Sequence, residues 1–328
     1  MSNQKSAIYA TKMQAISGLV LDWLPGESLY SLIARNHAVR GHIAPMDTIN
    51  DFFGMSKDRR LIDGRTELDC LIERTEGSLG SSEEILTGHT VLRAYMPLLR
   101  QREKRFLLPP GRLGGISMLK FPFGLHTGRF RSLYPLKGCR ACVEEDRAET
   151  GMPYWRLEHQ FPGVWICPKH NLPLFRTNVE PSRSDRVHLI VPSLEQFATV
   201  PDHLASHESF ESFRWLSEFV ISTTNQFHEG RDPFEVIRQR FYNHAVHSGL
   251  VTMRDKLRGY SRTDVAELVD RFEKFIPRFA VTEEFREFHQ STHIAHNLLS
   301  RYLNEESWVR PHENLFVSAW VELEGIGK

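Results

Sequence analysis

Three cysteines and a histidine stand at a spacing that suits a metal ion. Cys139 and Cys142 form a CxxC pair in CRAC. Cys167 and His170 form a CxxH pair in CPKH, 24 residues further on. Two residues between donors let one tight turn aim both at a single ion. Two such turns supply four soft or borderline donors in a tetrahedron, which suits Zn2+. The set is closed and leaves no position for water, so one structural zinc is expected rather than a catalytic one. Pro168 helps to set the second turn. Tyr154, Trp155, Phe161, Trp165 and Phe175 fall between or beside the pairs and are expected to form a compact aromatic core around the ion. The fourth cysteine, Cys70, adjoins Leu71 and Ile72 and reads as a buried free thiol.

A second kind of chemistry is electrostatic. Residues 91–140 hold eleven Lys or Arg against one acid, Glu103, a local charge of +10. Tyr95, Phe106, Phe121, Phe123, Phe130 and Tyr134 are interleaved with them. Such a stretch can hold phosphates and stack on bases. The candidate nucleic-acid contacts are Arg93, Arg100, Arg102, Lys104, Arg105, Arg112, Arg129, Arg131, Lys137 and Arg140. The plainer alternative is a solvated basic face compensated by Glu144, Glu145, Asp146 and Glu149. The chain has no phosphate-binding GxxxxGK[ST] loop, no HExxH and no nucleophile elbow, so nothing in it asks for catalysis. His289, His293 and His296 share one predicted helix face. No acid or thiol is spaced to complete a second metal site there, so a solvated or hydrogen-bonded face is the expectation.

These groups need elements to position them. Leu29, Leu32 and Ile33 predict a helix over 27–39, stopped by Gly41, with Glu27 and Ser28 as its opening cap. Pro45 and Asp47 open a second helix, closed by Gly54. Thr66 caps a third bearing Leu68, Leu71 and Ile72, which ends near Gly77. After the turn GSLGSS, Ser82 starts a helix reaching about Tyr95. Helix, glycine turn, helix is a helix-turn-helix pattern, and both 27–54 and 66–95 satisfy it. Dense Pro and Gly over 107–138 mark loop or short-strand territory. Beyond 180 the pattern is helical again, with helices around 210–220 and 234–247. Further helices are predicted after Thr263, from Thr282 to about Leu303, and from Pro311.

The expected architecture is mainly α. A helical N-terminal region with a helix-turn-helix covers 1–120, a small zinc module 121–180 and a helical domain 181–328. With 328 residues, 41% hydrophobic and 25% charged, the chain can build a large core without disulfides. Its formal net charge of zero excludes a protein coated uniformly in positive charge, while leaving local patches open. No apolar run approaches the roughly 18 residues of a membrane span, and the N-terminus lacks a signal-peptide layout, so a cytoplasmic protein is expected.

Three blocks resemble the TniQ/TnsD family of transposon target-selection proteins. LPGESLYSLIARNHAVRGHIAP, residues 24–45, resembles the family's opening P-x-E-S-L-x-S block. EEILTGHTVLRAYMPLL, residues 83–99, is similar to its HT-x-x-P-x-Y-x-P-F region, with Arg93-Ala94 where members often have Phe-Pro. GCRACVEED through GMPYWRLEHQFPGVWICPKHNLPL, residues 138–174, resembles its zinc block. A fainter similarity covers 294–321 and includes WVRPHENLFVSAWV.

The resemblance implies a non-catalytic adaptor in the bacterial cytoplasm. Such proteins mark a DNA target and recruit a TnsC-like AAA+ ATPase, which brings the transposase. Some members read duplex DNA themselves, and others sit on an RNA-guided CRISPR effector ribonucleoprotein. The fainter C-terminal similarity favours direct DNA engagement. By position, Cys139, Cys142, Cys167 and His170 take the family's ligand roles. The chain has one Cys-Cys…Cys-His set, where longer members continue into further helical DNA-binding units. A naturally short adaptor and a shortened chain both fit that difference. Two readings of other classes stay open: a stand-alone zinc and helix-turn-helix DNA-binding regulator, and a zinc enzyme, which the closed ligand set disfavours.

Overall fold

The computed structural model describes residues 18–54, 68–100, 136–177, 182–183, 186–197, 202–204, 206–248, 266–282, 294–304 and 309–327, with 285, 288 and 307. The fold is mainly α. Helix α1, Leu29–Arg40, starts where the Ser28 hydroxyl accepts the Ser31 amide at 3.3 Å. It stops at Gly41, whose φ of 66° few other residues adopt without strain. Leu29, Leu32 and Ile33 are fully buried on its inner face. Helix α2, Pro45–Phe53, follows, opened by Pro45 and burying Ile49, Phe52 and Phe53. Helix α3, Leu68–Arg74, packs on α2, and Arg74 donates to the Asn50 and Asp51 carbonyls at 3.0 and 2.9 Å. The Asn50 carbonyl also accepts from the Gly54 amide at 2.9 Å, so the guanidinium adds to the cap of the neighbouring helix.

Helix α4, Ser82–His89, carries a capping box. The Ser81 hydroxyl accepts from the Glu84 amide, and the Glu84 carboxylate accepts from the Ser81 amide at 2.8 Å. That backbone bond holds the Glu84 carboxyl below its ordinary range. The predicted helix to Tyr95 is broken at Thr90. Its backbone is extended, and its hydroxyl turns back to the Leu86 carbonyl at 2.7 Å. A separate short helix α5, Leu92–Tyr95, follows.

Glu27 does more than open α1. It is fully buried and its Oε2 accepts from Arg35 at 2.6 Å and from the Leu24 amide at 3.0 Å. Burial pushes its carboxyl upward, opposed mainly by Arg35. His89 donates through Nδ1 to the Glu27 carbonyl at 2.8 Å, with its ring stacked 3.5 Å from that of Trp23. The two N-terminal sequence blocks are thereby docked on each other.

Helix α6, Arg140–Thr150, lies between strands β1, Lys137–Gly138, and β2, Phe175–Arg176, which pair antiparallel. A second short pair joins β3, Ser182–Arg183, to β4, Arg186–Val187. Five helices follow: α7 His207–His228, α8 Pro233–His247, α9 Ala266–Phe279, α10 Ile294–Leu303 and α11 Pro311–Leu323. Ser206 and Asp232 cap α7 and α8 through their side chains. Thr282 sits in a bend just past α9, with its hydroxyl on the Phe279 carbonyl at 3.2 Å; apart from Phe285 and Phe288, the residues of the expected helix between it and Ile294 lie outside the described residues. Thr66, Thr263, His289, His293 and residues 107–135 lie outside the described residues; His296 is on α10. Cys70 is a free cysteine but only half-buried, under Gly54.

Every residue of α11 from Pro311 to Val321 is buried. Phe316 is the hub of its aromatic packing, with ring centroids 5.2 Å from Phe275, 5.0 Å from Phe285 and 4.5 Å from Phe288. A helix buried all round must still satisfy its polar side chains. Ser318 meets the Tyr302 hydroxyl at 2.9 Å, and Asn314 donates to the Leu98 carbonyl at 2.5 Å. Burial pushes the Tyr302 hydroxyl up to about 12. Buried apolar residues of the N-terminal helices, the α6 region and the C-terminal helices form one connected core.

Candidate metal centre

Cys139 stands at the N-terminal cap of α6, and Cys142 lies in its first turn. The second pair sits on a tight turn. The Cys167 amide donates to the Leu172 carbonyl at 2.8 Å, and the Asn171 amide donates back to the Cys167 carbonyl at 2.9 Å. Asn171 takes a φ of 51°, which asparagine tolerates better than most residues. The turn returns His170 to the cysteines. His170 Nδ1 lies 3.6 Å from Cys139 Sγ, 3.3 Å from Cys142 Sγ and 3.6 Å from Cys167 Sγ. Cys142 and Cys167 sulfurs are 3.7 Å apart, and all four donor atoms fall within 4.8 Å of one another.

These separations can be tested against a coordinated ion. With Zn–S of about 2.3 Å and Zn–N of about 2.0 Å, a tetrahedron has edges of roughly 3.8 Å between sulfurs and roughly 3.5 Å from sulfur to nitrogen. The observed distances agree, and the three sulfurs are buried. The set could hold one metal ion. Hydrogen bonds from Cys142 and Cys167 push the Cys139 thiol down, and those with Cys139 and Cys167 push Cys142 up.

Three side chains brace the centre. Lys137 is buried, and its Nζ donates to the Phe161 and Val164 carbonyls at 3.1 and 2.6 Å while lying 4.7 Å from the Trp165 ring. Gln160 accepts from the Lys137 amide and donates to the Lys137 and Arg156 carbonyls. Trp155 packs edge-on against Phe197. A methyl added at Gly138 would fall 2.6 Å from Phe197 Cζ. Gly138→Ala should therefore cost about 1–3 kcal/mol through overpacking, read as a lowered urea midpoint. An unchanged midpoint would show that Phe197 moves aside freely.

The braced module is tied to α1. The Ser28 amide donates to the Trp155 carbonyl at 3.1 Å, the Trp155 amide to Ser31 Oγ at 2.9 Å, and the Leu157 amide to the Gly26 carbonyl at 2.8 Å. One unit therefore runs from the first helix through the four donors. The family model TniQ matches residues 19–174, which is that unit. The chain carries a TniQ domain over those residues. It is also similar to the Transposon Tn7 transposition protein TnsD of Escherichia coli, at 22% identity over 153 residues. That similarity spans 45% of this chain and 30% of the relative's length.

Outside the four donors, the expected contact residues of this TniQ-domain protein divide. Arg102, Lys104, Arg105, Arg112, Arg129 and Arg131 lie outside the described residues. Arg93 is half-buried and donates to the Thr87 carbonyl and to Asn225 Oδ1 at 3.0 and 3.2 Å. Arg100 is buried among backbone carbonyls of the C-terminal helices. Lys137 is buried as described. In this structure all three of these cations bond to protein acceptors. Arg140 is exposed, its guanidinium carbon 4.2 Å from the Phe175 ring centroid.

The helix-turn-helix candidates also look different in three dimensions. Among the described residues of 18–100, Arg35, Arg40, Arg74, Arg93 and Arg100 all bond to protein groups. Among the described residues, the exposed charges on and beside α2, α3 and α4 are acidic: Asp47, Asp69, Glu73, Glu76, Glu83 and Glu84. Such faces repel phosphates. Among the described residues, no helix is long and apolar enough to cross a membrane.

Sequence reasoning missed Glu145, whose Oε1 accepts from His170 Nε2 at 2.8 Å, and Lys169, which pairs with its Oε2. The spacing carried a signal: Glu145 is three residues past Cys142, on the same face of a helix.

Proposed function

We propose that the protein is a non-catalytic target-selection adaptor for DNA transposition, built around one structural Zn2+. The observation that supports this best is the closed Cys3His set inside a TniQ domain. Cys139, Cys142, Cys167 and His170 hold the ion. When bound, it cross-links two chain turns and offers no open position for a reaction. The adaptor engages target DNA and recruits an AAA+ ATPase of the TnsC type, which in turn brings the transposase.

DNA contact rests on the basic stretch past Arg100, since the described faces of the N-terminal helices are acidic. The test is a gel shift of full-length protein against random duplex and against an attachment-site duplex, over a range of salt. Alanine at Arg102, Lys104 and Arg105 should weaken binding and reduce the salt slope by about 2–3. An unchanged slope would remove these residues from the interface. A pull-down with a neighbouring AAA+ ATPase, with and without DNA, separates the adaptor from a stand-alone regulator, which would capture none.

One observation favours a second reading, docking on an RNA-guided effector ribonucleoprotein. The exposed acids of α3 and α4 suit a basic protein surface better than a DNA groove. Under that reading naked duplex is bound no better than any other polyanion.

A further inference from the structure

The histidine of the metal centre is held by its outer ring nitrogen as well as aimed by its inner one. His170 Nε2 lies 2.8 Å from Glu145 Oε1, and a carboxylate can only accept, so Nε2 carries the proton. The ring then presents an Nδ1 lone pair, and Nδ1 is the atom that faces all three sulfurs. The other carboxylate oxygen, Oε2, is gripped by Lys169, which sits inside the second knuckle next to His170. The neighbouring carboxylate, Asp146, is committed elsewhere: it is buried and pairs with Arg156 at 2.5 Å. Two adjacent acids on one helix therefore serve two different partners, and only Glu145 reaches the histidine.

We infer that Glu145, clamped by Lys169, is the positioning residue of the metal centre, fixing His170 as the Nε2–H tautomer so that Nδ1 is the ligand. This rests on the zinc reading above. A ligating imidazole that lacks such a partner rotates and samples the wrong tautomer, and loss of outer partners of this kind weakens metal binding by about 10–100-fold. The carboxylate is part-exposed, so its removal leaves no buried cavity. Lys169 joins the clamp to the CxxH turn, and the one contact links α6 to the second knuckle.

The test is Zn2+ affinity of the full chain, measured by competition with a chromophoric chelator for wild type, Glu145→Ala, Glu145→Gln and Lys169→Met. Glu145→Ala should bind Zn2+ about 10–100-fold more weakly. Glu145→Gln should stay near wild type, because its amide oxygen still accepts from Nε2–H. Lys169→Met should fall between them. Long-range proton–nitrogen spectra of 15N-histidine protein should show His170 protonated at Nε2 in wild type and in Glu145→Gln. Unchanged affinity in Glu145→Ala would overturn the inference while leaving zinc in place. Equal losses in the alanine and glutamine variants would also overturn it, since charge and not the hydrogen bond would then matter. If Glu145→Ala fails to fold, an Nδ1–H ring in wild type decides against it. Wild type that takes up no Zn2+ would overturn the zinc reading and this inference together.

Discussion

Treating the protein with a strong chelator should release about one zinc ion per chain and unfold the segment between Leu136 and Arg176. Apart from α6, little in that segment is regular. Strands β1 and β2 contribute two residues each, and the second knuckle is a turn. In the zinc-bound form proposed above, the ion would take the place of strands as the cross-link between α6 and the CPKH turn. In small zinc peptides the ion contributes roughly 10–16 kcal/mol of apparent binding free energy, which appears as folding free energy. Here Trp155, Phe161 and Val164 join a larger core, so part of the fold should survive metal loss. The damage should nonetheless reach α1, whose first turn is bonded to Trp155. Metal analysis paired with hydrogen exchange provides the check. Amides of 137–176 should lose protection first, those of 24–32 next, and those of α11 least. Cys142→Ser should mimic the chelator. A fully protected fold with no metal detectable in it would defeat the zinc assignment.

Replacing Arg100 with alanine should destabilise the protein by about 3–5 kcal/mol. Its Nη1 donates to the Asn304 and Ser307 carbonyls at 2.7 and 3.0 Å, and its Nη2 to the Arg301 and Tyr302 carbonyls at 3.1 and 2.9 Å. These four carbonyls cluster around the end of α10, where helical carbonyls lack intrahelical partners. The site is buried, so water cannot replace the guanidinium, and each stranded carbonyl costs about 1–3 kcal/mol before relaxation. Lysine cannot fork as arginine does, so Arg100→Lys should recover only part of the loss. Urea denaturation gives the magnitude. Hydrogen exchange should place the loosening at the end of α10 and in the short 3-10 helix Met96–Leu98, where Asn314 also holds the Leu98 carbonyl. A loss below about 1 kcal/mol would show that the carbonyls find water.

Local chemistry was legible in the sequence, and its destinations were not. The four metal donors could be named from spacing because a CxxC or CxxH turn is complete within four residues. Ser28, Gly41 and Pro45 could be assigned to helix ends for the same reason. Glu27 was read as part of a cap by the dipole rule, but burial beside Arg35 governs it. Arg100 and Lys137 counted as positive charge in the sequence. Their acceptors lie 201 to 207 residues away for Arg100 and 24 to 27 away for Lys137, and no local rule reaches those carbonyls. The helix-turn-helix pattern was right in its elements, α1 with α2 and α3 with α4. The sign of the exposed surface depended on which arginines turned inward, and that is a tertiary fact. The break at Thr90 turned on a hydroxyl competing for a backbone carbonyl, where the surrounding periodicity favoured a continuous helix.

The connected core has a consequence for an adaptor. A tether made of separate domains on flexible joints must lose orientational freedom each time it brings two partners together. Here apolar packing runs from α1 through the metal centre to α11, and Arg100 and Asn314 lock across it. That orientational freedom is already given up when the chain folds. If the protein is the adaptor proposed above, what its two ends hold would be kept at a fixed distance and a fixed angle, and it would act as a ruler that selects one insertion spacing where a flexible tether would permit a spread of them.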